Sequence, residues 1–137
     1  MNECDKIIQA ILTHYPNTQA MYLFGTYGTD KEWPESDVDI AVLLPPKEAK
    51  QVGSFAMNKL HTTLEQLLGK DVDLINLRRV STVFQKEITT ADRRFFCQDS
   101  YAADEFEMLV LSFYQKLNEE RCQILDEFWQ TGRAYNV

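Results

Sequence analysis

Two aspartates stand two positions apart in a short apolar segment, Asp37-Val38-Asp39, and their types and spacing could do chemistry. Successive residues of a β-strand alternate between its faces, so both carboxylates would project to the same side, with Cα atoms about 6 to 7 Å apart. Oxygen ligands without a nearby His or Cys favour hard cations such as Mg²⁺, which usually binds a few carboxylates together with substrate phosphates and water. The pair therefore predicts a metal site that a nucleoside triphosphate completes.

A third carboxylate, Asp73, lies in a later segment of alternating polarity, residues 70–77. Carboxylates from two different strands are what a pair of metal ions about 3.5 to 4 Å apart requires. Placed beside an acceptor hydroxyl, Asp73 could hold the metal that lowers the pKa of that hydroxyl, or it could take the proton as a general base. Asp71 shares the same strand face and is the alternative for this position.

Gly25-Thr26 follows an apolar run, residues 19–24, that is typical of a buried strand entering a turn. A glycine lets the backbone approach a phosphate closely, and a hydroxyl with turn amides can bind phosphate oxygens. A turn glycine beside a hydroxyl is common without any ligand, and only the aspartates downstream favour a functional interpretation. The Gly25-Thr26 turn and the aspartates together suit in-line attack on an α-phosphate, with pyrophosphate as the leaving group.

The elements that must position these residues follow from apolar periodicity. Helical spacing predicts helices over residues 2–15, over 49–67 up to Gly69, from Ser81 to about Thr90, and over about 101–130. Strands are predicted over residues 19–24, 37–44, 70–77 and 94–97. Adjacent strands followed by a helix that returns to a third predict an α/β (α+β) fold, a small mixed sheet with flanking helices, in a single domain over residues 1–137.

Charge and cysteine content exclude several classes of function. Fourteen basic and 21 acidic residues give a net charge of −7, which argues against nucleic-acid binding and suits a basic protein partner. Cys4, Cys97 and Cys122 are odd in number and far apart, so neither a disulfide framework nor a zinc site is indicated. Since no apolar run approaches the roughly 18 residues of a membrane helix, a soluble protein in the reducing cytoplasm is expected.

The motifs together resemble a known family. Gly25-Thr26 and Asp37-Val38-Asp39, separated by residues 27–36, resemble the signature of polymerase-beta-like nucleotidyltransferases. The strand at residues 21–24, Ser36 before the first aspartate, and the segment 72–75 also fit the family's spacing. The resemblance implies a polymerase-beta-like fold, nucleotide binding by Gly25, Thr26 and Ser36, and catalysis with Mg²⁺ held by Asp37, Asp39 and Asp73.

The short chain is similar, more narrowly, to the minimal nucleotidyltransferases that serve as antitoxins beside HEPN ribonuclease toxins. This likeness implies a cytoplasmic enzyme that transfers AMP from ATP to a tyrosine hydroxyl of the toxin and silences it covalently. It also implies a hetero-oligomer of the two proteins. One alternative is a nucleotidyltransferase acting on a small hydroxylated molecule, such as an aminoglycoside. Another is a non-catalytic antitoxin that acts by binding alone.

Two departures from the family pattern bear on activity. Thr26 stands where the family usually has serine, and its extra methyl group restricts the side chain in a tight turn. Thr29 and Asp30 stand where the family often has an arginine and a glycine, so a phosphate-binding cation is missing from the loop. Lys31, Arg78 or Arg79 could supply that cation.

Overall fold

The computed structural model describes residues 3–25, 37–53 and 59–131, with side chains as far as residue 126. Within them the helices are α1 Glu3–His14, α2 Pro46–Val52, α3 Lys59–Leu68, α4 Thr82–Thr90 and α5 Ser100–Thr131, and a 3-10 turn spans Leu77–Arg79. The strands are β1 Ala20–Phe24, β2 Val38–Leu43, β3 Val72–Asn76 and β4 Arg94–Cys97. The four strands lie within the predicted segments 19–24, 37–44, 70–77 and 94–97.

The four strands form one sheet in the order β3-β2-β1-β4. β1 is antiparallel to both β2 and β4, whereas β2 and β3 run parallel. Since α3 lies between β2 and β3 in the chain, it serves as the crossover that a parallel pair requires. The predicted α/β fold with a small mixed sheet and flanking helices is therefore confirmed.

Alternation along β2 divides the core between the two faces of the sheet. Val38, Ile40 and Val42 are fully buried in a cluster with α1 and α3. Ala41 and Leu43 face the other way and are buried against the 3-10 turn, α4 and α5, through Leu77, Ile88, Ala103, Phe106 and Val110. Asp39 lies two positions before Ala41 on the same strand, so its side chain is on the same face of the sheet, which α4 and α5 cover.

Polar contacts fasten α5 across that face. The Tyr22 hydroxyl of β1 donates to Glu107 Oε2 at 3.1 Å, and Arg94 of β4 donates to the same oxygen at 2.6 Å and to Asp104 Oδ1 at 3.2 Å. Burial, followed by the charge of Glu107, raises the pKa of Tyr22 above its ordinary value, so the phenol stays a donor. The start of α5 is thereby fixed to the two strands beside the predicted phosphate turn.

Helix ends follow the predicted capping chemistry. Ser81 Oγ accepts from the Phe84 N–H at 3.2 Å at the start of α4, and Asp99 Oδ1 accepts from the Ala102 N–H at 3.1 Å at the start of α5. Gly69 ends α3 with a φ of 65°. Of the helices in the described ranges, none combines the length and apolar composition needed to cross a membrane.

The prediction of one helix over residues 49–67 is wrong. α2 ends at Val52 and α3 begins at Lys59, with residues 54–58 outside the described part of the chain. Gly53 has a φ of 65°, which a right-handed helix cannot contain, and its N–H still closes the last turn on the Ala49 carbonyl at 3.2 Å. Asn76 of β3 fixes this end by donating to the carbonyls of Ala49 and Gly53 at 2.9 and 3.0 Å.

Candidate active site

The three predicted carboxylates meet at one edge of the sheet. Asp37 immediately precedes β2, and Asp39 of β2 is the direct register partner of Asp73 on β3. Asp37 and Asp73 are exposed, whereas Asp39 is half-buried. Parallel pairing in register therefore brings together residues from two distant segments, as the sequence predicted.

The Asp39 carboxylate lies in an environment that disfavours its charged form. Burial raises its pKa to about 6, and the negative charges of Asp73 and Asp37 act in the same direction, while the charge of Arg93 opposes them. Asp73 is the register partner of Asp39, whereas Asp71 precedes β3 and its backbone carbonyl accepts the Val38 N–H at 2.9 Å. The geometry therefore favours Asp73 over Asp71 as the third carboxylate.

The turn at Gly25 is built around the Asp39 carboxylate. Gly25 has a φ of 73°, a conformation that L side chains rarely adopt. A Cβ atom at this position would lie 2.0 Å from Asp39 Oδ2 and 3.1 Å from Asp39 Cγ, so a side chain here would have to displace the Asp39 carboxylate. Because Gly25 has no side chain, its turn can lie directly against the Asp39 carboxylate.

Arg93 fixes the other side of the same turn. Its Nη1 donates to the Gly25 carbonyl at 2.7 Å, and its own carbonyl accepts the Leu23 N–H at 3.0 Å. From the sequence, Arg93 and Arg94 form a basic pair that could meet a triphosphate, but a solvated pair beside a strand is the favoured interpretation. Arg93 reaches Gly25 only through the pairing of β4 with β1, which the sequence pattern does not show.

The sequence offered three residues as the phosphate-binding cation: Lys31, Arg78 and Arg79. Arg78 lies in the 3-10 turn after β3, at the opposite end of the strand from Asp73, and it donates to the Leu44 carbonyl and to Gln19 Oε1. Its guanidinium also lies 5.1 Å from the centre of the Phe106 ring, and burial lowers its pKa. Arg79 follows in the same distant turn, and Lys31 lies outside the described residues.

A cavity of about 330 Å³ opens beside the phosphate turn. Phe24, Gly25 and Arg93 line one part of it, and the rest is lined from α4 and its C-terminal end by Phe84, Glu87, Ile88 and Ala91. Phe24 and Phe84 contact each other edge to face, with ring centres 5.4 Å apart. Space for part of a ligand therefore adjoins Gly25. Thr26 and Ser36, the other predicted nucleotide-binding residues, lie outside the described residues.

The donor set fits a hard cation that arrives with its substrate. Among the residues that the structure describes, no group of three or more His, Cys, Asp or Glu side chains is arranged as a ready metal site. The carboxylates around Asp39 nevertheless repel one another, a condition that a bound divalent cation relieves. Mg²⁺ usually takes only one or two carboxylates together with substrate phosphates and water, so a complete protein cage is not required.

This arrangement of a glycine turn and paired aspartates agrees with the comparison to known families. The family described as polymerase beta, nucleotidyltransferase, matches residues 6–101. The chain belongs to this nucleotidyltransferase family. The matched segment of this nucleotidyltransferase runs from α1 to the start of α5 and contains the Gly25 turn, all three carboxylates and Arg93.

Similar proteins include members of toxin–antitoxin pairs. The protein adenylyltransferase MntA of Shewanella oneidensis is 35% identical to this nucleotidyltransferase over 128 residues, which is 93% of this chain and 87% of that protein. A crystal structure of a toxin–antitoxin with AMP-PNP matches with a TM-score of 0.71 and 32% identity, covering 94% of this chain and 99% of the other. The MNT antitoxin in complex with the tri-AMPylated Shewanella oneidensis HEPN toxin matches at 0.66 and 30%, covering 93% and 96%. The predicted resemblance to such antitoxins is confirmed.

Proposed function

We propose that this nucleotidyltransferase is an antitoxin that transfers AMP from ATP to a tyrosine hydroxyl of a HEPN-family ribonuclease toxin and thereby neutralises it. The observation that carries the proposal is the position of Asp39, which lies against the Gly25 turn and in register with Asp73. A carboxylate that adjoins both a phosphate-binding turn and a second carboxylate is placed to act on an α-phosphate. The cytoplasm, where ATP is available, is the proposed site of action.

Each site residue has a distinct proposed role. Asp37 and Asp39 would hold Mg²⁺, which would supply charge neutralisation at the phosphates. Asp73 lies at the acceptor side, where it orients or deprotonates the attacking hydroxyl. Gly25, together with Thr26 and Ser36, binds the nucleotide phosphates through backbone and hydroxyl groups.

Relatives support the reaction and its acceptor. The Shewanella oneidensis relative is a protein adenylyltransferase, a similar structure is a toxin–antitoxin with AMP-PNP, and another is an MNT antitoxin in complex with a tri-AMPylated HEPN toxin. At 30–35% identity over at least 93% of this chain, these likenesses extend beyond the shared fold. They favour a protein acceptor over an aminoglycoside-like molecule.

The experiment that tests this function separates covalent silencing from silencing by binding. The cognate toxin is incubated with this protein, ATP and Mg²⁺, then separated under denaturing conditions, refolded and assayed for ribonuclease activity. Toxin that was handled in the same way with Asp39→Asn protein is the matched control. We expect the treated toxin to stay inactive and the control toxin to recover. Equal recovery of both would favour an antitoxin that acts by binding alone.

A further inference from the structure

We propose that Arg93 binds the β- and γ-phosphates of the nucleotide and stabilises the departing pyrophosphate. The assignment rests on the proposed function, because it gives one end of the same reaction to a residue outside the predicted motifs. Arg93 would also supply the phosphate-binding cation that the loop lacks. The supporting observations are the order of four residues along the sheet edge, the bond that orients Arg93, and the cavity that it lines.

Four residues form a staggered row across one end of the sheet: Asp73 pairs with Asp39, Asp39 pairs with Phe24 next to Gly25, and Arg93 lies opposite Leu23. The strand order β3-β2-β1-β4 places Asp73 on the first strand, Asp39 on the second, Gly25 just after the third and Arg93 just before the fourth. With neighbouring strands about 4.8 Å apart, the backbone row is roughly 14 Å long. It begins with a carboxylate and ends with a guanidinium, so it presents opposite charges at its two ends.

The order of these residues indicates the side of the site toward which pyrophosphate leaves. In-line transfer requires the attacking oxygen, the α-phosphorus and the leaving oxygen to lie nearly on one line. The proposed function places the acceptor hydroxyl at Asp73, so a pyrophosphate that leaves in line lies on the other side of Asp39, toward Gly25. The triphosphate tail therefore extends past Gly25 toward the positive end, which is Arg93. Arg93 Nη1 donates to the Gly25 carbonyl and the Asp39 carboxylate adjoins Gly25, so both side chains lie at the same turn.

The contacts of Arg93 orient its guanidinium for this role. The 2.7 Å bond to the Gly25 carbonyl holds the guanidinium against the turn, and the Leu23–Arg93 backbone bond holds the residue against β1. A guanidinium has five N–H donors in a planar fork, so it can serve a carbonyl and phosphate oxygens together. Arg93 is partly buried and lines the cavity of about 330 Å³ beside Gly25, which leaves space for phosphates next to it.

The chemical step makes clear what Arg93 would stabilise. The acceptor oxygen forms a bond to the α-phosphorus, and the bond between that phosphorus and the oxygen bridging to the β-phosphate breaks. The electron pair of the broken bond stays on the bridging oxygen, which leaves as part of pyrophosphate, while the hydroxyl proton passes to a base at the Asp73 end. Negative charge thus grows at the leaving end of the row, where Arg93 can stabilise it.

Equilibrium binding of the two products tests the assignment. Dissociation constants of inorganic pyrophosphate and of AMP are measured by calorimetry on the intact wild-type protein and on Arg93→Gln, in buffer containing Mg²⁺. We expect Arg93→Gln to weaken pyrophosphate binding by about 10- to 100-fold, as for the loss of a charged hydrogen bond, and AMP binding by less than about two-fold. The kcat/KM for ATP should fall by about 100-fold. Arg79→Gln, which removes the same charge at the distant end of β3, should change neither affinity.

A second variant distinguishes phosphate binding from a purely structural tether. Arg93→Lys keeps the charge but not the planar fork, so it should weaken pyrophosphate binding less than Arg93→Gln and leave AMP binding unchanged. If either variant weakens AMP and pyrophosphate equally, or leaves pyrophosphate binding unaltered, the assignment is overturned. A wild-type protein that binds no pyrophosphate would overturn it as well. A wild-type protein that binds pyrophosphate but adds no AMP to the toxin would instead contradict the proposed function and leave Arg93 as a polyphosphate-binding residue.

Discussion

The Asp39 carboxylate occupies the space that a side chain at Gly25 would need, since a Cβ there would lie 2.0 Å from Asp39 Oδ2. The turn that is proposed to hold the phosphates and the residue proposed to hold the metal are therefore in direct contact. A side chain at position 25 would therefore both strain the backbone, at a φ of 73°, and displace the Asp39 carboxylate.

This contact predicts an unequal effect of two glycine substitutions. Gly25→Ala should reduce AMP transfer by about 100-fold, because the added methyl group displaces the carboxylate from its position. Gly69→Ala is the matched control: Gly69 has a similar φ of 65°, but nothing lies within 4 Å of its Cβ position. That substitution should cost about 1 to 2 kcal/mol of stability through backbone strain and leave the transfer rate unchanged. Steady-state kinetics and urea unfolding of both variants test this, and equal activity losses would show that strain, not the clash, matters.

The repulsion around Asp39 predicts which neighbouring carboxylate controls it. In the metal-free protein, carbon-detected NMR titration should give an Asp39 pKa of about 6. Asp73→Asn should lower that pKa toward its ordinary value, because one of the negative charges that raise it is removed. Asp71→Asn is the control and should leave it unchanged. A larger decrease in Asp71→Asn than in Asp73→Asn would reverse the assignment of the third carboxylate.

The same raised pKa predicts a loss of stability with rising pH. Between the ordinary value of 3.8 and about 6, the folded protein retains a proton on Asp39 that the unfolded chain releases. The free energy of unfolding should therefore contain a contribution that falls as pH rises through this window. Asp39→Asn removes that contribution. The free energy of unfolding of the variant minus that of the wild type should therefore increase from about pH 4 to about pH 7. Urea unfolding at both pH values measures this difference, and a decrease with pH would contradict the account.

The carboxylate geometry predicts that metal and nucleotide bind cooperatively. Since the described carboxylates do not form a ready cluster of three ligands, Mg²⁺ alone should bind weakly. Calorimetric titration of Mg²⁺ in the presence of AMP-PNP should give at least about ten-fold tighter binding, because phosphate oxygens supply the missing ligands. After correction for metal binding to the free nucleotide, equal affinities with and without AMP-PNP would indicate a site that the protein completes by itself.

Local sequence patterns predicted most of the secondary structure, because each pattern reflects the face that an element buries. Alternation in residues 37–44 marked β2, and Ser81 marked the start of α4 through a side-chain cap that the structure contains. The amphipathic pattern over residues 49–67 nevertheless hid the end of α2 at Gly53. A core-facing stripe can pass from one helix to the next without interruption, and the positive φ of one glycine is then the only local sign.

The candidate site was predictable only where its residues belong to recurring motifs. Gly25 and the aspartate pair could be found by spacing, and Asp73 by alternation on its strand. Arg93 could not, since its contact with Gly25 depends on the antiparallel pairing of β1 with β4, which local periodicity does not encode. Arg78 seemed suited to a phosphate by sequence, yet it is bound at the far end of the sheet by Leu44 and Gln19.

Intact-mass spectrometry of the cognate toxin tests the central claim most directly. The toxin is incubated with ATP, Mg²⁺ and either the wild-type protein or Asp37→Asn, Asp39→Asn protein. The account predicts a mass increase of one or more AMP units on the toxin with the wild type, located on tyrosine by fragmentation, and none with the variant. An unmodified toxin that still forms a stable complex with the wild-type protein, or equal modification by the variant, would contradict it.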